Sequence, residues 1–254
     1  MAFAWDNFFI IFLRMSGLFI SAPIFSSNQI PVRIKIFALL IISFCLAYAV
    51  PVTFPESAQS AFHIVTIMGM ELLVGCAIGF VSNMIFAGIQ LAGQLMDMQM
   101  GFGIVNVVDP LSGTQVPLLG NFTQVMTLLI FLAVDGHHYL IQSVVNSYQL
   151  IPVMGMHLTG HFMDQLLKVM VYVFAIAIKI SSPLVLTVLT ADIAMGFIGR
   201  TVPQMNVFIV GMPLKILLGF ICLLMLVPVY AWLFETIFDT VFAFIDAIVM
   251  SVTL

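Results

Sequence analysis

Long apolar runs fill this chain from residue 8 almost to its end, and its few charges stand singly inside or between them. About 20 such residues cross a bilayer as a helix, and backbone groups in hydrocarbon must be satisfied within the segment or by neighbouring protein. Run length and distribution therefore predict an all-α, polytopic membrane-type protein. Composition agrees: 63% of residues are hydrophobic and 7% charged, against about 25% charged in soluble domains. The net charge of −4 leaves no basic patch for nucleic acid. Cys45, Cys76 and Cys222 lie in apolar runs without Cys-x-x-Cys spacing. They read as small buried apolar residues, not as a disulfide framework or zinc site. Asp6 precedes the first run and Arg14 interrupts it, which fits a retained helix better than a cleaved signal.

Taken in order, the runs predict helices at about 8–25, 34–52, 63–91, 122–134 and 162–189. A helical continuation at 137–148 follows a break at Asp135-Gly136. The apolar stretch from 207 onward exceeds one span and holds Pro213 and Pro228, so it is divided into about 207–227 and 230–252. The whole of 1–254 reads as a single domain with broken helices and re-entrant loops. Gly75 and Gly79 form a Gly-x-x-x-Gly that lets another helix approach closely. Arg33 and Lys35 in one connection and Arg200 in another mark the cytoplasmic side, with the N-terminus outside. Near the C-terminus, Glu235, Asp239 and Asp246 fall at offsets of four and seven, on one face. That stripe suits an interfacial amphipathic helix or a face turned to a channel or partner.

Residues 94–122 carry the strongest functional signal. Asp97 and Asp109 disfavour a lipid-exposed helix, and Pro110, Gly113, Pro117 and Gly120 break one repeatedly. Yet Met96, Met98, Met100, Phe102, Ile104, Val105, Val107 and Val108 make the stretch apolar and adaptable. Such backbone at membrane depth is tolerated only inside protein or along a cavity.

Arg14, Glu71, Lys179 and Lys215 sit within apolar runs, where a charge faces a bundle interior, a partner charge or water. Lys179 and Lys215 lie near Pro183 and Pro213, whose freed carbonyls an ammonium group can satisfy. His137 and His138 are adjacent and point apart on a helix. His157, His161 and Asp164 have metal-compatible spacing, but Gly160 lies between and His-Glu-x-x-His is absent, so a loop-exposed pair is the better reading. No nucleophile elbow, P-loop or catalytic triad pattern is present in the sequence. No enzyme, metal or cofactor is expected.

Residues 201–216, Thr-Val-Pro-Gln-Met-Asn-Val-Phe-Ile-Val-Gly-Met-Pro-Leu-Lys-Ile, resemble the signature of the FliR family, flagellar members of the type III secretion export gate. The resemblance extends to Ser21-Ala22-Pro23 with Val32-Arg33-Ile34-Lys35, to Gln99-Met100-Gly101 with Asp109-Pro110, and to Asp135-Gly136-His137-His138. It includes Ala191-Asp192-Ile193-Ala194-Met195-Gly196, where such families often carry Asn at the Asp192 position. The resemblance implies a non-enzymatic subunit packed in a helical, funnel-shaped gate with FliP-like and FliQ-like subunits. FlhB, FlhA, unfolded export substrates and the bacterial inner membrane at the flagellar basal body are the further implied partners and setting. It also implies that the loop at about 101–121 plugs the closed pore, with Met98, Met100, Gly101, Phe102, Gly103, Val107, Asp109, Pro110 and Pro117 as closure residues. Arg14, Glu71, Lys179, Asp192 and Lys215 would then serve assembly. Flexible apolar side chains suit a seal that dewets a pore, and Gly101 and Gly103 let the loop bend. The rival reading is a secondary transporter or ion channel with Glu71, Lys179 and Lys215 as a coupling site, although no paired internal repeat is evident.

Overall fold

A computed structural model describes residues 5–27, 30–50, 52, 61–102, 117–156, 160–202, 204 and 206–252. Among them there is no strand. Seven helices follow in order: α1 (Trp5–Ser21), α2 (Val32–Ala49), α3 (Ala61–Met100), α4 (Leu118–Ala133), α5 (Gly136–Leu150), α6 (Gly160–Thr201) and α7 (Val207–Ser251). By length and apolarity α2, α3, α6 and α7 can each cross a membrane, and α4 with α5, bent by 64°, can form a fifth, broken span. The bend falls at Asp135, whose left-handed backbone (φ 56°) stops α4 and starts α5.

Three helices are longer than the sequence reading predicts. α3 continues to Met100, so residues 94–100 are helix and not irregular backbone. It ends in a Schellman turn: Gly101 takes φ 92°, Phe102 N–H donates to Asp97 O (3.1 Å) and Gly101 N–H to Met98 O (3.3 Å). α6 runs past residue 189 to Thr201 and takes Asp192 inside it. α7 is one helix of 45 residues through Pro213 and Pro228, not two. A proline removes one ladder bond, whereas breaking the helix in apolar surroundings would leave several backbone groups unmatched. At Pro183 in α6 the missing bond is replaced locally, since Ser182 Oγ donates to Lys179 O at 3.1 Å. A serine hydroxyl, not a lysine, satisfies that carbonyl.

The chain forms two compact units. The first comprises Met1–Ile85, Phe131–Met170 and Phe238–Leu254. Its core joins Ile11, Met15 and Leu18 of α1, Ile78 and Val81 of α3, Leu140 and Val144 of α5, and Phe238 and Ile245 of α7. Phe131 meets Phe238 edge-on, with centroids 5.0 Å apart. Buried Asn7 ends α2: its Nδ2 donates to Ala47 O (2.8 Å) and Val50 O (3.0 Å), and its Oδ1 accepts from Val52 N–H (3.1 Å). Those carbonyls lack intrahelical partners at a helix C-terminus. The second unit comprises Phe86–Ile130 and Val171–Ile237. Ile89 and Met96 of α3, Ile180 and Leu184 of α6, and Tyr230 and Phe234 of α7 fill its core. The Tyr230 hydroxyl donates to Ile180 O at 2.9 Å.

α1 and α3 cross at glycines. A Cβ on Gly75 would stand 1.9 Å from Arg14 O, and one on Gly17 would stand 2.2 Å from Leu72 O. A Cβ on Gly79 would meet Ser21 Oγ at 2.1 Å. The Gly75/Gly79 face is thus filled by α1 of the same chain. Gly75→Val is expected to drive the helices apart and abolish accumulation in the membrane fraction. Gly69→Ala, with nothing within 4 Å of its Cβ position, should accumulate normally. Immunoblots of membranes carrying each variant check this, and equal levels of the two would refute the crossing as a determinant of the fold.

Candidate functional site

Two charged clusters and one helix end hold the chemistry, each within a single unit. In the first unit Arg14 is fully buried (0% exposed) on α1 and Glu71 nearly so (1%) on α3. The pair is bidentate, with Nε to Oε2 at 2.8 Å and Nη2 to Oε1 at 3.0 Å. Nη1 donates to Ser147 Oγ (2.8 Å) and Nη2 also to Ile151 O (3.2 Å), at the end of α5. The guanidinium lies 3.8 Å from the Tyr148 ring centroid, a cation–π contact strengthened by the absence of water. One planar cation thus ties α1, α3 and α5 in a fixed register. Arginine suits this position because its rigid fork matches a carboxylate while leaving N–H groups for further acceptors.

In the second unit Asp97 is buried (5% exposed) and caps α4 from α3. Its Oδ1 and Oδ2 accept from Leu119 N–H at 3.0 and 3.1 Å, and Oδ2 accepts from Gly120 N–H at 3.1 Å. A carboxylate at a helix N-terminus satisfies orphan donors and complements the dipole, which resolves the cost of an aspartate in an apolar run. Beyond it, Met98 is 72% exposed, while Met100 is fully buried against Gly219 of α7. Phe102 meets Phe220 edge-on, with centroids 6.2 Å apart. Pro117 immediately precedes α4. Gly103, Val107, Asp109 and Pro110 lie outside the described residues.

Asp192 of α6 and Lys215 of α7 form a half-buried ion pair. They border a cavity of about 280 Å³, lined also by Gly101, Met195, Val207 and Met212. Lys179 lies on the exposed side of α6, not in the core of this chain, and makes no ion pair among the described residues. Of the rival coupling set, Glu71 is taken by Arg14 and Lys215 by Asp192.

His137 and His138 do not point apart. Their ring centroids are 4.1 Å apart, and with Asp135 they bring potential ligand atoms within 4.8 Å of one another. At the first turn of α5 no preceding helical turn blocks the rotamers that fold the rings together. Asp135 and His138 are exposed and joined at 3.3 Å across the turn between α4 and α5. His157 lies outside the described residues, and His161 and Asp164 are exposed. Glu235, Asp239 and Asp246 form an exposed stripe on α7, where Asp246 accepts from the Tyr139 hydroxyl at 2.7 Å.

Sequence reasoning marked Arg14 and Glu71 but not their pairing, and it missed Asn7, Gly17, Ser147 and Tyr148. No local pattern announces those four, because each acts on a helix distant in sequence. The polar positions at residues 7, 147 and 148 beside apolar runs were the available signal.

Residues 5–241 match the family described as bacterial export proteins, family 1. The chain is similar to the flagellar biosynthetic protein FliR of Bacillus subtilis (strain 168), 35% identical over 239 residues that cover 91% of this chain and 90% of that protein. FliR of Escherichia coli (strain K12) is 29% identical over 252 residues, covering 99% and 96% of the two chains. FliR of Aquifex aeolicus (strain VF5) is 26% identical over 240 residues, covering 94% and 92%.

Arg14→Met or Glu71→Leu alone leaves an uncompensated buried charge and is expected to destabilise by about 3–5 kcal/mol. The double variant should be markedly less destabilised than the sum of the two, because no charge is then stranded. Thermal unfolding of the purified variants measures this, and strict additivity would count against a coupled pair.

Proposed function

The chain belongs to the bacterial export proteins, family 1, and on that premise we propose that it is a non-enzymatic subunit of the flagellar type III export gate. The family match across residues 5–241, with FliR relatives aligned over nearly their whole length, carries the reading. The chain is a membrane-embedded flagellar component with apolar helices long enough to span a bilayer, and its setting is the inner membrane at the basal body. It completes the pore with FliP-like and FliQ-like subunits, contacts FlhB and FlhA, and passes unfolded export substrates.

The physical support lies in what the fold leaves uncovered. Beyond Arg33 and Lys35 in its first turn α2 is apolar on all sides, and only Leu39 and Ser43 are buried on it. A helix of that kind is covered by lipid or by other helices. A gate for unfolded chains must also close around nothing. The segment that follows Gly101, with Gly103, Val107, Asp109 and Pro110, supplies the closure element. Met100 anchors its start in the core beside Gly219, and Met98 and Phe102 flank the anchor. Adaptable apolar side chains of this type exclude water from a narrow pore.

Two outcomes test the reading. Expressed alone, the chain should aggregate during size-exclusion chromatography and recover on co-expression with FliP-like and FliQ-like subunits; a monodisperse monomer would contradict it. Deleting residues 107–117 should leave the complex assembled but raise its conductance in planar bilayers. An assembled deletion complex as tight as the wild type would remove the plug role and leave the segment a packed re-entrant loop.

A further inference from the structure

Lys179 is the apolar-run charge that the described fold does not absorb. The part of α6 between Lys168 and Asp192 holds about 23 residues, or roughly 34 Å of helix, close to the thickness of a hydrocarbon layer. Lys179 is the only charge in that stretch and lies near its middle, roughly 16 Å along the axis from Lys168. On its own face, a turn or two away, stand exposed Ala175 and Leu186 (59% exposed), and the adjoining flank of the same open side carries Ile178 (63%) and, further round, Phe174 (64%). The other charges of the apolar runs find partners inside the chain, Arg14 on Glu71 and Lys215 on Asp192. Nor is the ammonium group needed to repair the helix at Pro183, because Ser182 already donates to the freed carbonyl.

An ammonium group in this position cannot face lipid without a large desolvation penalty. Either interface is too far for the side chain to snorkel to from mid-span. A water-filled lumen is a poor match for Leu186 on the Lys179 face and Ile178 on its flank, both exposed and apolar. What fits is a second membrane helix that covers those residues and presents an acid at the level of Lys179. We propose that the Lys179 face of α6 docks a transmembrane helix of a partner subunit, and that a carboxylate on that helix pairs with the Lys179 ammonium group. The proposal rests on the export-gate reading, since it requires a partner within the membrane. It adds which face of the chain is occupied and what chemistry the occupant carries. An apolar surround makes the pair selective as well as adhesive: a helix without an acid would leave the lysine stranded.

The test uses the full chain co-expressed with the FliP-like and FliQ-like subunits, with this chain tagged and the recovered complex quantified. Lys179→Arg keeps the charge and should recover the complex at close to the wild-type yield. Lys179→Met should lower the yield several-fold and Lys179→Glu further. The tagged chain itself should remain in the membrane fraction at wild-type levels in all three, which separates docking from folding. An Asp or Glu to Lys change on one partner helix should restore the Lys179→Glu complex. Equal recovery of the wild type, Lys179→Met and Lys179→Glu would overturn the pairing. So would a co-purified anionic phospholipid that is present with the wild type and lost with Lys179→Met, because the lysine would then hold a headgroup. A wild-type chain that recovers neither subunit would overturn the gate reading and the docking proposal together.

Discussion

The buried pair of Arg14 and Glu71 fixes more of this molecule than any other interaction. It brings together residues 57 apart in the chain, and the guanidinium then reaches Ser147 and Ile151 at the end of a third helix. Apolar helices slide and rotate against one another with little change in contact energy. A bidentate ion pair with further directional bonds does not allow that. Low dielectric makes the fully paired arrangement stable and every misaligned one expensive. The glycine crossing beside it has the same logic in steric form. Gly75 sits against the backbone carbonyl of Arg14, so close approach of α1 and α3 places the cation where Glu71 can meet it.

A second constraint acts on the backbone. α3, α6 and α7 hold 40, 42 and 45 residues, each longer than the roughly 20 a bilayer requires. They continue through prolines and past charges because stopping would strand backbone groups where water is scarce. At several helix ends a side chain from another helix, or the helix's own last turn, receives the open groups. Asn7 closes α2, Asp97 opens α4, and the Schellman turn at Gly101 closes α3 within its own chain. Polar residues are few here, and several of these are spent on helix termini.

Charges in the apolar runs are therefore distributed by need. Arg14 with Glu71 and Asp192 with Lys215 are consumed internally, Asp97 serves a helix terminus, and Lys179 faces outward. This division leaves neither Glu71 nor Lys215 as a free charge for ion coupling. It is compatible with a subunit that owes part of its surface to neighbours in an export complex.

Composition and run length determined the all-helical membrane class, the break at Asp135-Gly136 and the abnormal positions of Arg14, Glu71 and Lys215. These follow from local chemistry: hydrocarbon demands satisfied backbone, aspartate tolerates the left-handed backbone that breaks a helix, and a charge in an apolar run needs a partner. The motif at residues 201–216 pointed to the family for a different reason, a pattern of residues shared with relatives. Only the tertiary structure decided where helices end and which charges pair. Residues 94–100 looked irregular because Asp97 seemed too costly in a helix, until α4 supplied the N–H groups that satisfy it. Pro213 and Pro228 looked like breaks, but each removes a single bond that an apolar setting leaves cheaper than a helix terminus. Lys179 and Lys215 looked alike in sequence. They differ because α7 brings one of them to Asp192 and leaves the other on an open face, and such differences depend on contacts between helices far apart along the chain.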